Sequence, residues 1–168
     1  MESSSQPCSN HLIDDDIDYV VSMYANRMYR IAFSRLKNPS DAEDIVQEVF
    51  MKYIAHQKEL TEDEEYRKAW LIRVTINCCN SLLRSAWHRK TTELKEDIPT
   101  VLEESSEIMT YVLKLPEQYR TIIHLFYYEE LSIKEISHCL NISEPLTKTR
   151  LHRARKALKQ LLPDPSLL

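Results

Sequence analysis

The stretch LSIKEISHCLNISEPLTKTRLHRARKAL, residues 131–158, decides the predicted fold of this chain. Ser132 stands where it can cap a short helix over residues 133–140, whose apolar residues recur at helical spacing. Asn141 follows at the turn, and asparagine is one of the few side chains that tolerate a left-handed backbone conformation. The residues predicted to point inward are Ile133, Ile136, Leu140 and Ile142. We therefore predict a helix-turn-helix, a motif whose second helix enters the DNA major groove.

The second helix of this motif is predicted over residues 144–162. Ser143 or Glu144 can cap it, Pro145 is tolerated in its first turn, and Pro163 ends it. The residues predicted to face the core are Leu151, Ala154 and Leu158. The residues predicted to contact base edges are Lys148, Thr149, His152 and Arg153, and those suited to phosphates are Arg150, Arg155 and Lys156. The alternative interpretation is a basic helix face that is only solvated.

Composition favours helices throughout. The 168 residues include no glycine, where average usage of about 7% would supply roughly 12. Glycine-rich phosphate loops, dinucleotide fingerprints and Asn-Gly hairpin turns depend on glycine, so proteins built on them are excluded. Residues that favour or tolerate helix, such as Leu, Ile, Lys and Glu, are plentiful. The chain is predicted to be all-α, with one domain or two small ones.

The N-terminal sequence MESSSQPCSNHLIDDD lacks the basic start and apolar core of a signal peptide, and no apolar stretch of about 18 residues occurs. We therefore predict a cytoplasmic protein. The four cysteines form no Cys-x-x-Cys pair, so no disulfide framework, metal site or other cofactor is expected. The cysteines, expected to be small buried side chains, are Cys8, Cys78, Cys79 and Cys139.

Charge alternates in blocks along the chain. Residues 1–65 carry a net charge of −8, residues 96–110 carry −5 and residues 111–145 carry −2. Residues 66–95 carry +6 and residues 146–168 carry +5. Because the whole chain, at −4, is repelled on average by nucleic acid, any contact with DNA must be made locally by the two basic blocks.

Three amphipathic helices are predicted before residue 91. The first spans about residues 15–37, the second begins at Ser40, and the third spans about residues 65–89. Ser40 is predicted to cap the second, in a capping box with Glu43, after Asn38-Pro39 has ended the first. The predicted apolar faces consist of Ile17, Val20, Val21, Tyr24, Met28, Ile31 and Ala32, then Ile45, Val46, Val49, Phe50 and Tyr53, then Trp70, Leu71, Val74, Cys78 and Leu82.

Residues 91–110 are acidic, contain Pro99 and lack apolar periodicity, so we interpret them as a flexible linker between two domains. The second domain begins near Tyr111, with Pro116 at the start of a helix that runs to about Tyr128. The predicted organisation is a flexible N-terminus over 1–13, a first domain over 14–90, the linker over 91–110, a second domain over 111–162 and a tail over 163–168.

Three blocks of this sequence resemble the extracytoplasmic-function (ECF) sigma factors, a group within the sigma-70 family of bacterial transcription initiation factors. DAEDIVQEVF, residues 41–50, is similar to the helix with which the family binds core polymerase. AWLIRVTINCCNSLLR, residues 69–84, is similar to the promoter-melting helix, and residues 115–158 are similar to the C-terminal domain. The order and spacing of the three blocks are more specific than any one of them. The resemblance implies two helical domains, called regions 2 and 4 in the family.

The resemblance also implies functional residues. Those that bind core polymerase would be Asp41, Glu43, Asp44, Gln47 and Glu48, which by themselves indicate only an acidic exposed face. Those at the opened −10 element would be Arg73, Asn77, Arg84, Arg89 and Lys90, while the second helix of the helix-turn-helix would read the −35 element. The chain departs from the family pattern at Ser81 and at Pro145-Leu146-Thr147, so its promoter preference cannot be copied from a relative.

The partners implied by the resemblance are core RNA polymerase, at the clamp helices of its largest subunit and at its flap, promoter DNA, and an anti-sigma factor, often membrane-bound. It implies no catalysis and no small-molecule substrate. A stand-alone helix-turn-helix regulator is the alternative, but such proteins usually dimerise and no dimerisation helix follows Leu162. An enzyme would need a convergent set of polar residues, which six scattered histidines and ordinary carboxylates do not supply.

Overall fold

A computed structural model describes residues 10–56, 63–89 and 107–163 of the chain, and the elements within those ranges are seven α-helices. They are α1 (Asn10–Leu36), α2 (Pro39–His56), α3 (Glu64–Arg89), α4 (Glu107–Val112), α5 (Glu117–Tyr127), α6 (Ile133–Leu140) and α7 (Glu144–Leu161). Over the described ranges the protein is helical without strands, which confirms the predicted all-α class. None of these helices is both long and apolar enough to cross a lipid bilayer.

Helices α1, α2 and α3 pack together as the first unit. Val20, Tyr24 and Met28 are buried because residues four apart lie on one face of a helix. The prediction for Val21 is wrong, since this side chain is 36% exposed. It lies about 100° around the helix from Val20, outside the buried stripe. The remaining buried apolar residues of this unit are Ile31, Ala32, Phe33, Ala42, Ile45, Val49, Phe50, Tyr53, Leu71, Ile72, Ile76, Cys78 and Cys79.

The start of α2 differs from the predicted capping box. The side-chain oxygen of Asn38 accepts a hydrogen bond from the backbone N–H of Asp41 at 3.2 Å, so Asn38 caps the helix. Pro39 then occupies the first helical position, which suits its fixed backbone angle and its missing N–H. Ser40 consequently lies inside the first turn, and the prediction that it caps the helix is wrong.

The buried face of α3 follows the sequence prediction only in part. Leu71 and Cys78 are buried as predicted, Val74 and Leu82 are half-buried, and Ile72 and Ile76, which were not predicted to face the core, are fully buried. Trp70 is half-buried and packs edge-on against Tyr53, with 6.2 Å between the ring centroids. Cys78 and Cys79 are buried free thiols, and burial raises the pKa of Cys79 to about 12. The interpretation of the cysteines as small buried side chains is confirmed for these two and for Cys139, whereas Cys8 lies outside the described residues.

Helices α4 to α7 form the second unit, in which α5, α6 and α7 contact one another and α4 contacts α7. Helix α4 begins at Glu107, so residues 107–110 are helical although we predicted a linker there. The sequence signal that was missed is a pair of apolar anchors, Met109 and Val112, which are 4% and 0% exposed. Residues 10–13 of the predicted flexible N-terminus belong to α1, which begins at Asn10 rather than near residue 15, while residues 1–9 and 90–106 lie outside the described residues.

The predicted helix-turn-helix is confirmed in detail. Ser132 and Glu135 form a reciprocal capping box at the start of α6, and hydrogen bonding by Ser132 lowers the pKa of the Glu135 carboxyl. Asn141 adopts the left-handed conformation, with φ 52° and ψ 48°. Ser143, rather than Glu144, caps α7 by accepting a hydrogen bond from the N–H of Leu146. The predicted core residues Ile136, Leu151, Ala154 and Leu158 are buried, and Ile133, Leu140 and Ile142 are half-buried.

The two units pack against each other through α1 with α5 and α3 with α6. This contact brings the C-terminal end of α1 beside the N-terminal end of α5.

Candidate nucleic-acid interface

The outer face of α7 carries the predicted DNA contacts. The exposed residues among them are Lys148, Thr149, His152, Arg153 and Lys156, while Arg150 and Arg155 are half-buried. Burial of Thr147, Leu151, Ala154 and Leu158 on the opposite side fixes which face remains outward. A positively charged, exposed second helix of a helix-turn-helix is the arrangement that enters a major groove.

Arg155, which we predicted to contact a DNA phosphate, also contacts aromatic residues of α5. Its Nε donates a hydrogen bond to the hydroxyl of Tyr127 at 2.8 Å. Its guanidinium lies over the rings of Phe126 and Tyr127, 4.9 and 5.5 Å from their centroids. Arg155 therefore links α7 to α5.

We expect Tyr127→Phe to lower the free energy of unfolding by about 1 kcal/mol, because it removes the hydrogen bond to Arg155 and keeps the ring. For a chain of this size, that loss lowers Tm by about 2–4 °C. Thermal unfolding followed by circular dichroism measures it. Tyr66→Phe, at a 49% exposed tyrosine of α3, is the matched control and leaves Tm unchanged. Equal Tm values for both variants would show that the hydroxyl contact contributes nothing.

A second exposed face runs along α3. Arg73, Asn77 and Arg84 are all exposed, and their separations of four and seven residues place them on one side of the helix. The side chains of Arg89 and Lys90 lie outside the described residues. Arg73 Nη1 donates a hydrogen bond to His138 Nε2 of α6 at 3.1 Å. One end of this face is therefore in contact with the second unit.

The third predicted surface is the acidic side of α2. Glu43, Asp44, Gln47 and Glu48 are exposed, and Asp41 is half-buried. Glu48 Oε1 accepts from Lys52 Nζ at 2.7 Å, and this hydrogen bond lowers the pKa of the Glu48 carboxyl. Lys52 Nζ also lies 3.4 Å from the Cys78 sulfur. An open groove of about 410 Å³ between α1 and α2 is lined by Ala25, Asn26, Tyr29, Glu43, Val46 and Gln47.

Two buried arginines join the units. Arg35, at the end of α1, contacts Glu117 Oε1 at 2.6 Å, Asn80 Oδ1 at 2.7 Å and Thr121 Oγ1 at 3.1 Å. Arg120, in α5, donates to the backbone carbonyls of Ser34 at 2.6 Å and Arg35 at 2.9 Å, and to that of Leu115 at 2.6 Å. Both arginines are 7% exposed, and burial lowers the pKa of Arg120. Arg120 thus supplies donors to carbonyls that the end of a helix leaves unpaired.

A second polar contact lies further along the same interface. Arg27 Nε of α1 is 3.0 Å from Glu129 Oε2, and Glu129 Oε1 is 3.4 Å from His124 Nε2. His124 and Glu129 are buried, and the His124 ring stacks on Tyr128 at 5.2 Å. None of these residues has a function predicted from the sequence. For His124, the sequence feature that could have indicated a buried polar contact is a polar residue inside an otherwise apolar run, YRTIIHLF at 119–126.

Comparisons with known proteins cover both units. A family model described as Sigma-70 region 2 matches residues 20–89, and one described as Sigma-70, region 4 matches residues 105–158. The ECF RNA polymerase sigma factor SigM of Bacillus subtilis is 36% identical, in an alignment covering 86% of this chain and 94% of SigM. SigW of the same organism, also named an ECF RNA polymerase sigma factor, is 32% identical over 86% of this chain and 88% of its own.

Two solved structures share the fold. The sigma factor RpoE of Bartonella quintana, crystallised with the anti-sigma factor NepR, has a TM-score of 0.74 at 21% identity, over 88% of this chain and 96% of RpoE. CnrH, in complex with the cytosolic domain of CnrY, has a TM-score of 0.62 at 22% identity, over 88% of each chain.

Proposed function

This chain belongs to the sigma-70 family, as an ECF sigma factor, and from that premise we propose how its surfaces divide the work of transcription initiation. Its function is to direct RNA polymerase to promoters. In our proposal α2 binds core polymerase, α7 reads the −35 element and the exposed face of α3 contacts the opened −10 element. The observation that carries the proposal is the capped helix-turn-helix with its exposed cationic face, in one chain with a second basic helix.

The division of roles follows from the chemistry of each surface. Arginine and lysine on α7 can pair with base edges and phosphates of duplex DNA. The basic face of α3 suits the phosphates of a separated strand, with Asn77 able to hydrogen-bond an exposed base. The acidic exposed residues of α2 would repel DNA and suit a basic protein surface, and we propose that core polymerase supplies that surface.

While the two units stay packed against each other, the chain cannot contact the −10 and −35 elements at the same time. The elements are separated by about 25 base pairs, or roughly 85 Å of duplex at 3.4 Å per base pair. Arg73 of α3, however, lies 3.1 Å from His138 of the helix-turn-helix. The chain between Arg89 and Glu107 can extend to about 60 Å when fully stretched, so the units can separate widely without breaking either one. We propose that they do so on polymerase.

We further propose that the protein works in the cytoplasm, where polymerase and promoters meet, and that it performs no catalysis of its own. Because two proteins of the same fold are seen with an anti-sigma factor or with the cytosolic domain of a second protein, we propose an anti-sigma partner for this chain as well.

The test of the proposed function is co-elution of the purified chain with core RNA polymerase, followed by transcription from a promoter library. We expect stoichiometric binding and transcripts that start at a common promoter motif. DNA binding by the chain alone to a specific operator, with no polymerase binding, would instead establish the stand-alone regulator.

Asp44→Arg tests the surface on α2. Asp44 is exposed and, unlike Glu48, is not the residue paired with Lys52, so reversing its charge leaves the fold intact. We expect roughly tenfold weaker binding to core polymerase, corresponding to about 1.4 kcal/mol, with unchanged Tm. Asp18→Arg, an equal charge change at an exposed site on α1, is the control and retains full affinity. Unchanged affinity of Asp44→Arg would remove this contact from the proposal.

A further inference from the structure

The first turn of α7 presents an unusual surface for a helix that is otherwise cationic. Pro145 and Leu146 are both exposed, Leu146 by 40%, whereas their neighbour Thr147 is fully buried. Leu146 lies three residues before Thr149 and seven before Arg153, so the three share one side of the helix. On this side of α7 the first turn is therefore apolar, and the cations Arg150 and Arg153 follow about one and two turns after Leu146.

Thr149 extends this apolar patch rather than interrupting it. Its hydroxyl donates a hydrogen bond to the carbonyl of Pro145 at 2.9 Å, so the hydroxyl hydrogen is used inside the helix. What the side chain keeps for a ligand is an acceptor oxygen and a methyl group. Glu144 is the acidic residue of this turn and lies about 100° around the helix from Pro145. Its negative charge stabilises the N-terminus of the helix.

The apolar patch has one matching group in the DNA major groove. Every base presents hydrogen-bonding atoms there, but thymine alone adds a methyl group at C5. We infer that Leu146, which shares one side of α7 with Thr149, is a specificity-determining residue that reads the methyl group of a thymine in the −35 element. The inference rests on the proposed function of α7 and adds the chemistry of one base contact. It falls in Pro145-Leu146-Thr147, where the chain departs from the family pattern.

The experiment uses the full chain with core RNA polymerase. Promoters with a randomised −35 region are first selected by this holoenzyme, and each thymine of the selected element is then replaced singly by deoxyuridine, which pairs identically and lacks only the methyl group. We expect one thymine whose replacement weakens the promoter complex about fourfold, which corresponds to about 0.8 kcal/mol for one buried methyl-sized group.

Leu146→Ala should remove this dependence, so that the variant binds the thymine and deoxyuridine promoters equally. Leu161→Ala is the matched control, because Leu161 is a 39% exposed leucine on the same helix, about 22 Å from Leu146 at 1.5 Å per residue. It should keep the fourfold difference. Co-elution of both variants with core polymerase shows that each remains folded.

Three results would overturn the inference in different ways. If the wild-type holoenzyme binds every deoxyuridine promoter as well as the thymine promoter, no methyl group is read. If Leu146→Ala keeps the fourfold difference, another residue reads the methyl group. If the library yields no −35 motif although polymerase binds, α7 does not read this element and the proposed function of α7 fails as well.

Discussion

Arg120→Ala is expected to lower the free energy of unfolding by about 3 kcal/mol. The substitution leaves the buried carbonyls of Ser34, Arg35 and Leu115 without their donor, and each such unpaired group costs about 1–3 kcal/mol. The cost of burying the guanidinium, seen in the lowered pKa of Arg120, is regained and offsets part of this loss. Tm should fall by about 6–12 °C in thermal unfolding.

Lys134→Ala is the control for this loss, since Lys134 is an exposed cation on α6, and its Tm should match the wild type. Arg120→Lys keeps the charge but cannot donate to three separated carbonyls, so it should restore less than half of the lost stability. A Tm for Arg120→Ala equal to that of the control would mean that the contact between the units does not form in solution.

Arg153→Ala is expected to reduce promoter complexes by about 5- to 150-fold, while binding to core polymerase stays unchanged. Arg153 is exposed on the outer face of α7, and one good contact between arginine and a guanine edge contributes about 1–3 kcal/mol of discrimination. Promoter-specific transcription and polymerase co-elution, measured on the same preparation, separate the two effects.

Lys159→Ala provides the comparison, because Lys159 is an exposed cation two turns nearer the C-terminus of the same helix. It should change promoter complexes much less than Arg153→Ala and mainly through their salt dependence. If Arg153→Ala lowers polymerase binding as well as promoter binding, the role of Arg153 is to stabilise the fold. If it lowers neither promoter binding nor polymerase binding, the proposed base contact is absent.

The helix-turn-helix was predictable because local rules agree there. The capping residues Ser132 and Ser143 and the left-handed Asn141 act on the backbone within a few residues of themselves, so the sequence alone indicates them. Where two local signals compete, the prediction fails. Ser40 is a good capping residue, but Asn38 followed by Pro39 is the better start of a helix, and α2 begins there.

The contact between the units could not be predicted in the same way. Arg35 and Arg120 are 85 residues apart in sequence. Nothing in the sequence around either residue indicates that the Arg120 side chain will donate to backbone carbonyls at the end of α1. Buried arginines are rare without partners, so an arginine inside an apolar run indicates a distant partner but does not identify it. The helix α4 was missed for a related reason, since Met109 and Val112 are buried only in the folded second unit.

The packing of the units also implies an order of events in time. The outer face of α7 is open to solvent in the packed form, whereas Arg73 on α3 is bonded to His138. In the proposed function, duplex −35 DNA therefore associates with α7 in a single bimolecular step, with an observed rate that rises linearly with DNA concentration. In the proposed function, capture of the −10 strand follows the parting of the units, so its rate should level off at the rate constant of that unimolecular opening.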